Sequence, residues 1–426
     1  MRARFEQVRS HLAGSQFLRK FLQTFSTRVL VMAIGMVTSI IVTRILGPEG
    51  RGAFALAMAT GAVGVQLGNL GLHTANIFYA AKDPAKTPSL LGNTLLVGLG
   101  MGAVMGVGVF GALTWWPDLA PMTPTLLMTV MIWIPFGLVH LLLQNLLLGV
   151  HAVSIYNRNE RLFSGSIFFL VAVAAVMGRV AVEVVVAFNL LATVLVVVTA
   201  VRHLIHHYGG APRIDLGMLK GQLPYGLKSW LGSLVGFLLL RIDLFMINLL
   251  LDTTQAGLYA VAVAMGDLLF MVPSVMITLF FPEVTSKPDR ISKWRILRRL
   301  LLVFSVMMIG LCLVAGLLAE PVLNLLYGDA FLPSAPAFLI LLATVFGRSI
   351  IGLLAGFIGS FDIPRSGPLF GVALLLVNYW LNLQLIPLMG IEGAALTSVV
   401  CIIFQVAYNA FYVFLLVRFP NYVIRW

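Results

Sequence analysis

The chain has 426 residues, of which 60% are hydrophobic and only 10% are charged, with a mean hydropathy of +1.00 and a net charge of +12. A soluble domain carries about 25% charged residues, so this composition excludes a water-exposed globule and makes lipid the solvent. Lipid admits only helices or closed barrels, and the unbroken apolar runs at 184–201 and 300–318 exclude the barrel's alternating segments of about ten residues.

A span needs about 20 apolar residues. In chain order the sequence predicts helices at 22–46, 52–81, 90–115, 121–150, 162–177, 182–204, 224–251, 255–281, 296–318, 333–360, 368–386 and 391–417. The fifth and sixth are separated by a very short turn holding Arg179 and Glu183. The basic N-terminal stretch precedes an apolar run too long for a signal sequence, so it is expected to stay as the first membrane helix.

With the N-terminus in the cytoplasm, 23 of the 28 lysines and arginines fall on the cytoplasmic side. They include Lys287, Arg290, Lys293, Arg295, Arg298 and Arg299 in one loop, and also Arg365, Arg418 and Arg425. The exceptions are Arg44, Arg51, Arg179, Arg241 and Arg348. This asymmetry predicts an even number of spans with both termini cytoplasmic. It also accounts for most of the net charge without nucleic acid, for which there is no basic–aromatic module.

A repeat appears at an offset of 205 residues. Gly-Ala-Phe-Ala-Leu-Ala from Gly52 aligns with Gly-Leu-Tyr-Ala-Val-Ala from Gly257, each after a short polar loop. The expected organisation is two six-helix halves, 1–208 and 209–426, as in many transporters. Resemblance of small residues on packed helices is the plainer alternative.

Charges inside the spans are the candidate functional groups, because an ionisable side chain at bilayer depth is costly and faces a cavity or a partner. Arg241 lies eleven residues before Asp252, roughly 16 Å below the outer end at about 1.5 Å per residue. Asp243, two residues on, is off its face. Asp267, at similar depth on the next helix, is a plausible partner for Arg241. Arg348 has no acidic neighbour in its own segment. Each group reads either as a cavity wall with switchable carboxylates or as a static ion pair. Arg28 and Arg44, nearer the helix ends, also read as snorkelling to an interface, and Arg51 reads as a residue of the loop between the first two helices.

Glycines spaced by four (Gly98, Gly102 and Gly106; Gly232 and Gly236; Gly352 and Gly356) read as close helix contacts. Cys312 and Cys401 lie in apolar runs and read as packing residues rather than a disulfide or metal site. His203, His206 and His207 read as a positive interfacial patch. A phosphate-binding Gly-Lys-Ser/Thr motif is absent and no catalytic constellation stands out, so neither ATP hydrolysis by that route nor other enzyme activity is expected. No cofactor or metal is called for.

Five further stretches carry a resemblance: Thr-Arg-Ile-Leu-Gly-Pro-Glu-Gly-Arg-Gly over 43–52, Arg-Ile-Asp-Leu-Phe-Met-Ile-Asn over 241–248, Ala-Gly-Leu-Tyr-Ala over 256–260, Leu-Tyr-Gly-Asp-Ala-Phe over 326–331 and Ile-Glu-Gly-Ala-Ala over 391–395. In order and spacing they resemble the polysaccharide-transport branch of the multidrug/oligosaccharidyl-lipid/polysaccharide exporter superfamily, the O-antigen and exopolysaccharide flippases. The resemblance implies an all-α integral membrane protein of about twelve transmembrane helices, arranged as two six-helix bundles around a central cavity. It implies passage of a polyprenyl-diphosphate-linked oligosaccharide across the cytoplasmic (inner) membrane for surface polysaccharide synthesis. The related lipid II flippases carry two further C-terminal helices, so the span count points to the polysaccharide branch.

On that reading Arg28, Arg44, Arg241 and Arg348 bind substrate, while Asp243 and Asp267 couple transport to H+ or Na+. The expected partners are the lipid-linked oligosaccharide, membrane lipids, and a polysaccharide polymerase and glycosyltransferases. The competing reading is a cation-coupled multidrug antiporter of the same fold, for which a cavity richer in acid than in arginine is expected. A further alternative is a membrane scaffold for polysaccharide assembly that transports nothing.

Overall fold

The structure is a computed structural model and describes residues 2–208, 210–287, 289–361 and 366–419. Arg365 and Arg425, both counted on the cytoplasmic side above, lie outside the described residues. The described chain is helical: fourteen α-helices joined by short turns and three 3-10 segments, with no strand among the described residues.

α1 runs from Arg2 to Gly68, but its backbone leaves helical geometry at Gly47, where φ is 68° and ψ is −178°. Gly47 supplies the positive φ, and Pro48 has no N–H to continue the ladder. The two arms are the first and second predicted spans. The second ends earlier than expected: the chain turns at Asn69–Gly71 and resumes as α2 (Leu72–Lys82). Then follow α3 (Thr87–Trp115), α4 (Pro124–Gly149), α5 (Val153–Val176) and α6 (Val182–Tyr208). α5 begins nine residues before its apolar run, so Arg158, Glu160 and Arg161 are helical rather than in a loop.

The predicted seventh span is two elements, α7 (Leu216–Leu239) and α8 (Ile242–Leu250), bent by 41° at Leu240–Arg241. α9 (Thr253–Thr285) and α10 (Arg290–Leu317) follow. At the start of α10, Asp289 accepts the Ser292 backbone N–H at 2.6 Å, and bonding to Ser292 holds this exposed carboxyl below its usual range. The short amphipathic α11 (Ala319–Tyr327) escaped the apolar-run reading because it is too short to span. α12 (Ala335–Gly359), α13 (Ser366–Met389) and α14 (Ile391–Arg418) follow.

Among the described residues, ten helices are long and apolar enough to cross a bilayer, and the bent pair α7–α8 makes an eleventh. The 43-residue run Ser26–Gly68 counts once among the ten, yet a straight helix of that length would measure about 64 Å, twice the hydrocarbon thickness. Its break at Gly47 makes it two spans and brings the total to twelve.

Two compact units emerge. The first comprises Met1–Leu46, Ala57–Trp116 and Met122–Trp230; the second comprises Gly47–Leu56, Pro117–Pro121 and Leu231–Trp426. With no hydrophobic drive between helices in lipid, packing and hydrogen bonds hold each unit together. In the first, α3 lies against α4 through its glycines: a Cβ at Gly98 would strike Val139, at Gly102 the Pro135 backbone, and at Gly106 the Met131 carbonyl. The first half of α7 is tied to α2 and α3 by buried neutral groups. The Gln222 amide donates to Asn76 Oδ1 (3.2 Å) and accepts from Asn93 (3.3 Å), while Asn76 donates to Thr94 Oγ1 (2.8 Å).

In the second unit, Phe304, Leu353, Phe357 and Val284 centre an apolar core of α9, α10, α12 and α14. The two glycines of the sequence repeat meet there. A Cβ on Gly52 would collide with the Thr253 carbonyl, and one on Gly257 with the Pro48 carbonyl. Residues 48 and 253, like 52 and 257, are 205 apart, so the repeat positions contact each other reciprocally, backbone to backbone.

Candidate substrate and ion sites

Arg241 occupies the break between α7 and α8. Its N–H bonds to the Leu238 carbonyl at 2.9 Å and its own carbonyl accepts from Leu244 at 3.2 Å. Its side chain is exposed and makes no hydrogen bond or ion pair among the described residues. Arg51 is an electrostatic neighbour of Arg241 and of Tyr327. Its guanidinium carbon lies 5.6 Å from the Phe54 ring centroid, and its Nε is buried with no acceptor. Two guanidinium groups thus share a neighbourhood, and neither has a carboxylate partner among the described residues. The sequence reading set Arg51 aside as a loop residue. Helix resumes immediately after Gly47, so Arg51 sits on a helix rather than in water.

Asp243 does not pair with Arg241, which is exposed while Asp243 is buried. It is buried, in the first turn of α8, where the helix dipole favours an anion. Oδ1 accepts from Asn382 Nδ2 at 2.7 Å; Oδ2 accepts from Ser398 Oγ at 2.6 Å and from the Tyr259 hydroxyl at 3.1 Å. Asn382 Nδ2 also donates to Asn378 Oδ1 at 3.0 Å, while Asn382 Oδ1 is buried without a donor. Cys401, expected only to fill space, borders the same group. The arrangement is a carboxylate and a cluster of neutral oxygens from α8, α9, α13 and α14, a donor set suited to a hard cation. Asn378 and Asn382 went unremarked in the sequence, although two amides four residues apart inside a span were a usable signal.

The expected Arg241–Asp267 contact does not form. Asp267 pairs instead with Arg348, Oδ1 to Nη1 at 2.8 Å, and the Arg348 guanidinium lies 4.3 Å from the Phe270 ring centroid. The reason is helix register. α9 lies along α12, with Gly266 against Val345 and Gly352 against Ile277. Asp267 therefore meets the residue one turn beyond Val345. Arg348 takes its partner from another helix, and the pair is partly exposed.

In the first unit, Arg28 is exposed and has Glu160 and Tyr156 as electrostatic neighbours. Glu160 accepts from the Gln144 amide at 3.1 Å, and Arg161 donates to Thr27 Oγ1 at 3.0 Å. Arg44 is exposed, three residues before the break in α1. Glu160 was hidden in the sequence by its basic neighbours Arg158 and Arg161.

The glycine pair at 232 and 236 also departs from expectation. Nothing lies within 4 Å of a Cβ built on Gly236, and only Pro368 Cγ, at 3.9 Å, near one on Gly232. These glycines line open space rather than a close helix contact.

The family model described as polysaccharide biosynthesis protein matches residues 17–286, well over half of the chain. The chain belongs to that family, the polysaccharide-transport family of the exporter superfamily named above. Among curated proteins it is 27% identical over 180 residues to the probable flippase AglR of Haloferax volcanii. That match covers 40% of this chain and 37% of AglR, so the chain spans little more than a third of that relative's length. Among solved structures, the lipid II flippase MurJ in an inward closed conformation aligns over 92% of this chain and 87% of its own, with TM-score 0.73 and 12% identity. An inward-facing multidrug resistance MATE family transporter aligns over 94% and 100%, with TM-score 0.71 and 12% identity. The Vibrio cholerae MATE transporter VcmN aligns over 96% and 98%, with TM-score 0.67 and 12% identity. Identities this low establish a shared fold and nothing finer.

Proposed function

We propose that this family member is a flippase that moves a polyprenyl-diphosphate-linked oligosaccharide across the cytoplasmic membrane, coupled to a cation. The observation that carries the reading is Arg241, a guanidinium held at a break within a membrane span with Arg51 as neighbour and no carboxylate partner among the described residues. An uncompensated charge at that depth is costly unless a ligand or water meets it. Guanidinium matches the oxygens of a phosphate ester with paired, charge-assisted hydrogen bonds. An organic-cation antiporter would gain nothing from such a pair of arginines.

On this reading Arg28, Arg44, Arg241 and Arg348 meet the headgroup in turn, and Asp267 holds Arg348 until phosphate displaces it. Asp243, with the oxygens of Asn378, Asn382 and Ser398, takes the coupling H+ or Na+; the buried Asn382 Oδ1 that lacks a donor is the observation favouring a cation. Both termini are cytoplasmic, by the distribution of basic residues. The two repeats, 1–208 and 209–426, are the transport halves, and the polymerase and glycosyltransferases that make and use the substrate are the working partners.

The test is reconstitution. Purified protein in proteoliposomes should expose a polyprenyl-diphosphate-linked oligosaccharide to the opposite leaflet, and Arg241→Ala and Arg348→Ala should each stop this while still reaching the membrane. Normal translocation by both variants would overturn the reading.

A further inference from the structure

Within the second unit, the later half of α7, α13 and α14 line an open-mouthed cavity of about 170 Å³. Gly232, Gly236, Gly367 and Gly371 line it together with Tyr408, Phe370, Gln405 and Asn409. None of the residues lining it carries a charge.

The side chains of α14 sort cleanly around the helix. Ile403, Phe404, Phe411 and Phe414 are exposed, the stripe expected against lipid. Gln405, Tyr408 and Asn409 lie on the other side, half-buried and turned to the cavity. The Gln405 side-chain amide makes no hydrogen bond with the described residues. Asn409 spends its amide N–H on the Gln405 carbonyl at 2.8 Å, which leaves its Oδ1 without a donor among the described residues. An amide in a span that meets hydrocarbon loses its hydrogen bonds at a cost of several kcal/mol, so an alkyl chain is a poor occupant. Phe370 and Tyr408, both lining the cavity, stack on each other with centroids 4.1 Å apart and planes 12° from parallel. The Tyr408 hydroxyl is steered by Ser366 at 2.9 Å.

We infer that this cavity is a subsite for one neutral sugar ring of the transported glycan. The pieces match that ligand: aromatic carbon for the ring's C–H face, and two amides one turn apart for adjacent hydroxyls. The four lining glycines carry no side chain to block close approach. The absence of charge suits an uncharged sugar and not the diphosphate. The volume is also right, since a cavity of about 150 Å³ admits a single benzene-sized ring. The inference deepens the flippase reading and rests on it. It adds a glycan contact some distance in sequence from Arg241 and Arg348, made by residues with no role in binding phosphate.

The experiment uses the full chain in nanodiscs and three probes: an isoprenyl diphosphate bearing one N-acetylglucosamine, the bare isoprenyl diphosphate, and free N-acetylglucosamine followed by saturation-transfer NMR. Gln405→Leu removes the unpaired amide. Gly236→Leu fills the cavity from a position with open space around it, so folding is preserved. The sugar-bearing lipid should bind more tightly than the bare one, and each variant should erase about two- to tenfold of that advantage, the worth of one or two neutral hydrogen bonds. Free sugar should show saturation transfer that Gly236→Leu abolishes. Three results overturn the subsite: equal binding of both lipids, a sugar advantage untouched by both variants, or equal weakening of both lipids by Gly236→Leu, which assigns the cavity to the isoprenyl tail. If neither lipid binds but free sugar does so in the cavity, the subsite stands and the flippase reading falls; absence of saturation transfer as well removes both.

Discussion

Replacing Asp243 separates its structural role from its proposed ionic one. Three donors converge on its carboxylate, from Asn382, Ser398 and Tyr259, at 2.7, 2.6 and 3.1 Å. Asp243→Leu removes the acceptor from all three. A buried donor left unsatisfied costs about 1–3 kcal/mol, so the total is roughly 3–9 kcal/mol before relaxation, enough to unfold many proteins. Asp243→Asn behaves differently. Its carbonyl oxygen can keep Ser398 and Tyr259, and its new NH2 can meet Asn382 Oδ1, which has no donor now, once that amide flips. The flip gives up the 3.0 Å bond to Asn378, so the net loss is one hydrogen bond, about 0.5–1.5 kcal/mol. The assay is thermal unfolding of purified protein in detergent, with and without Na+. The leucine variant should be the far less stable of the two. The asparagine variant should fold yet lose any cation-dependent stabilisation, which for a site at 100 times its Kd amounts to about 2.7 kcal/mol. Equal stability of the two variants would refute the hydrogen-bond accounting, and a Na+ response in Asp243→Asn equal to wild type would remove Asp243 from coupling.

Other perturbations follow from the same contacts. Asp267→Asn breaks a pair whose side chains are 27% and 51% exposed, so unfolding should move by no more than about 1 kcal/mol; a large loss in the same thermal assay would make the pair a structural lock. Arg51→Met removes a buried Nε with no acceptor, and should leave stability unchanged or raised while slowing translocation in proteoliposomes; a clear drop in stability would mean that Arg51 holds the fold. Gly257→Val, which drives a side chain into the Pro48 carbonyl, should cost about 1–3 kcal/mol or more and reduce the folded fraction on size-exclusion chromatography. Gly310→Val, with open space around it, is the matched control and should not. Arg241→Lys should insert normally but translocate at least tenfold more slowly, because an ammonium keeps the charge and loses the planar fork; wild-type rates would show that charge alone suffices.

Much of the architecture was legible in the residues. Apolar run length specified the spans because bilayer thickness imposes it. The short polar stretch from Gly47 to Arg51 separated the first two spans, and the backbone breaks within it, at Gly47. The Gly98, Gly102 and Gly106 series announced a close helix contact that α3 and α4 make. That Arg241 and Asp243 do not neutralise each other was expected from their spacing. The bend at Leu240–Arg241 was not legible, since nothing in Leu-Leu-Leu-Arg requires one.

Partner choice was beyond local reading as well. Asp267 could have reached Arg241 by depth, yet the packing of Gly266 on Val345 sets a register that delivers it to Arg348. Asn378, Asn382 and Ser398 are unremarkable one by one and become a site only when α13 and α14 bring them to Asp243. Gly232 and Gly236 carry the same spacing as the packed α3 glycines, and nothing in that spacing distinguishes a contact from an open wall. Taken alone, the sequence determined what must lie in lipid, because solvation and helical periodicity act on each segment separately. Only the tertiary structure decided which charge meets which partner and which wall stays open, because those outcomes depend on the relative rotation and register of helices distant in the chain.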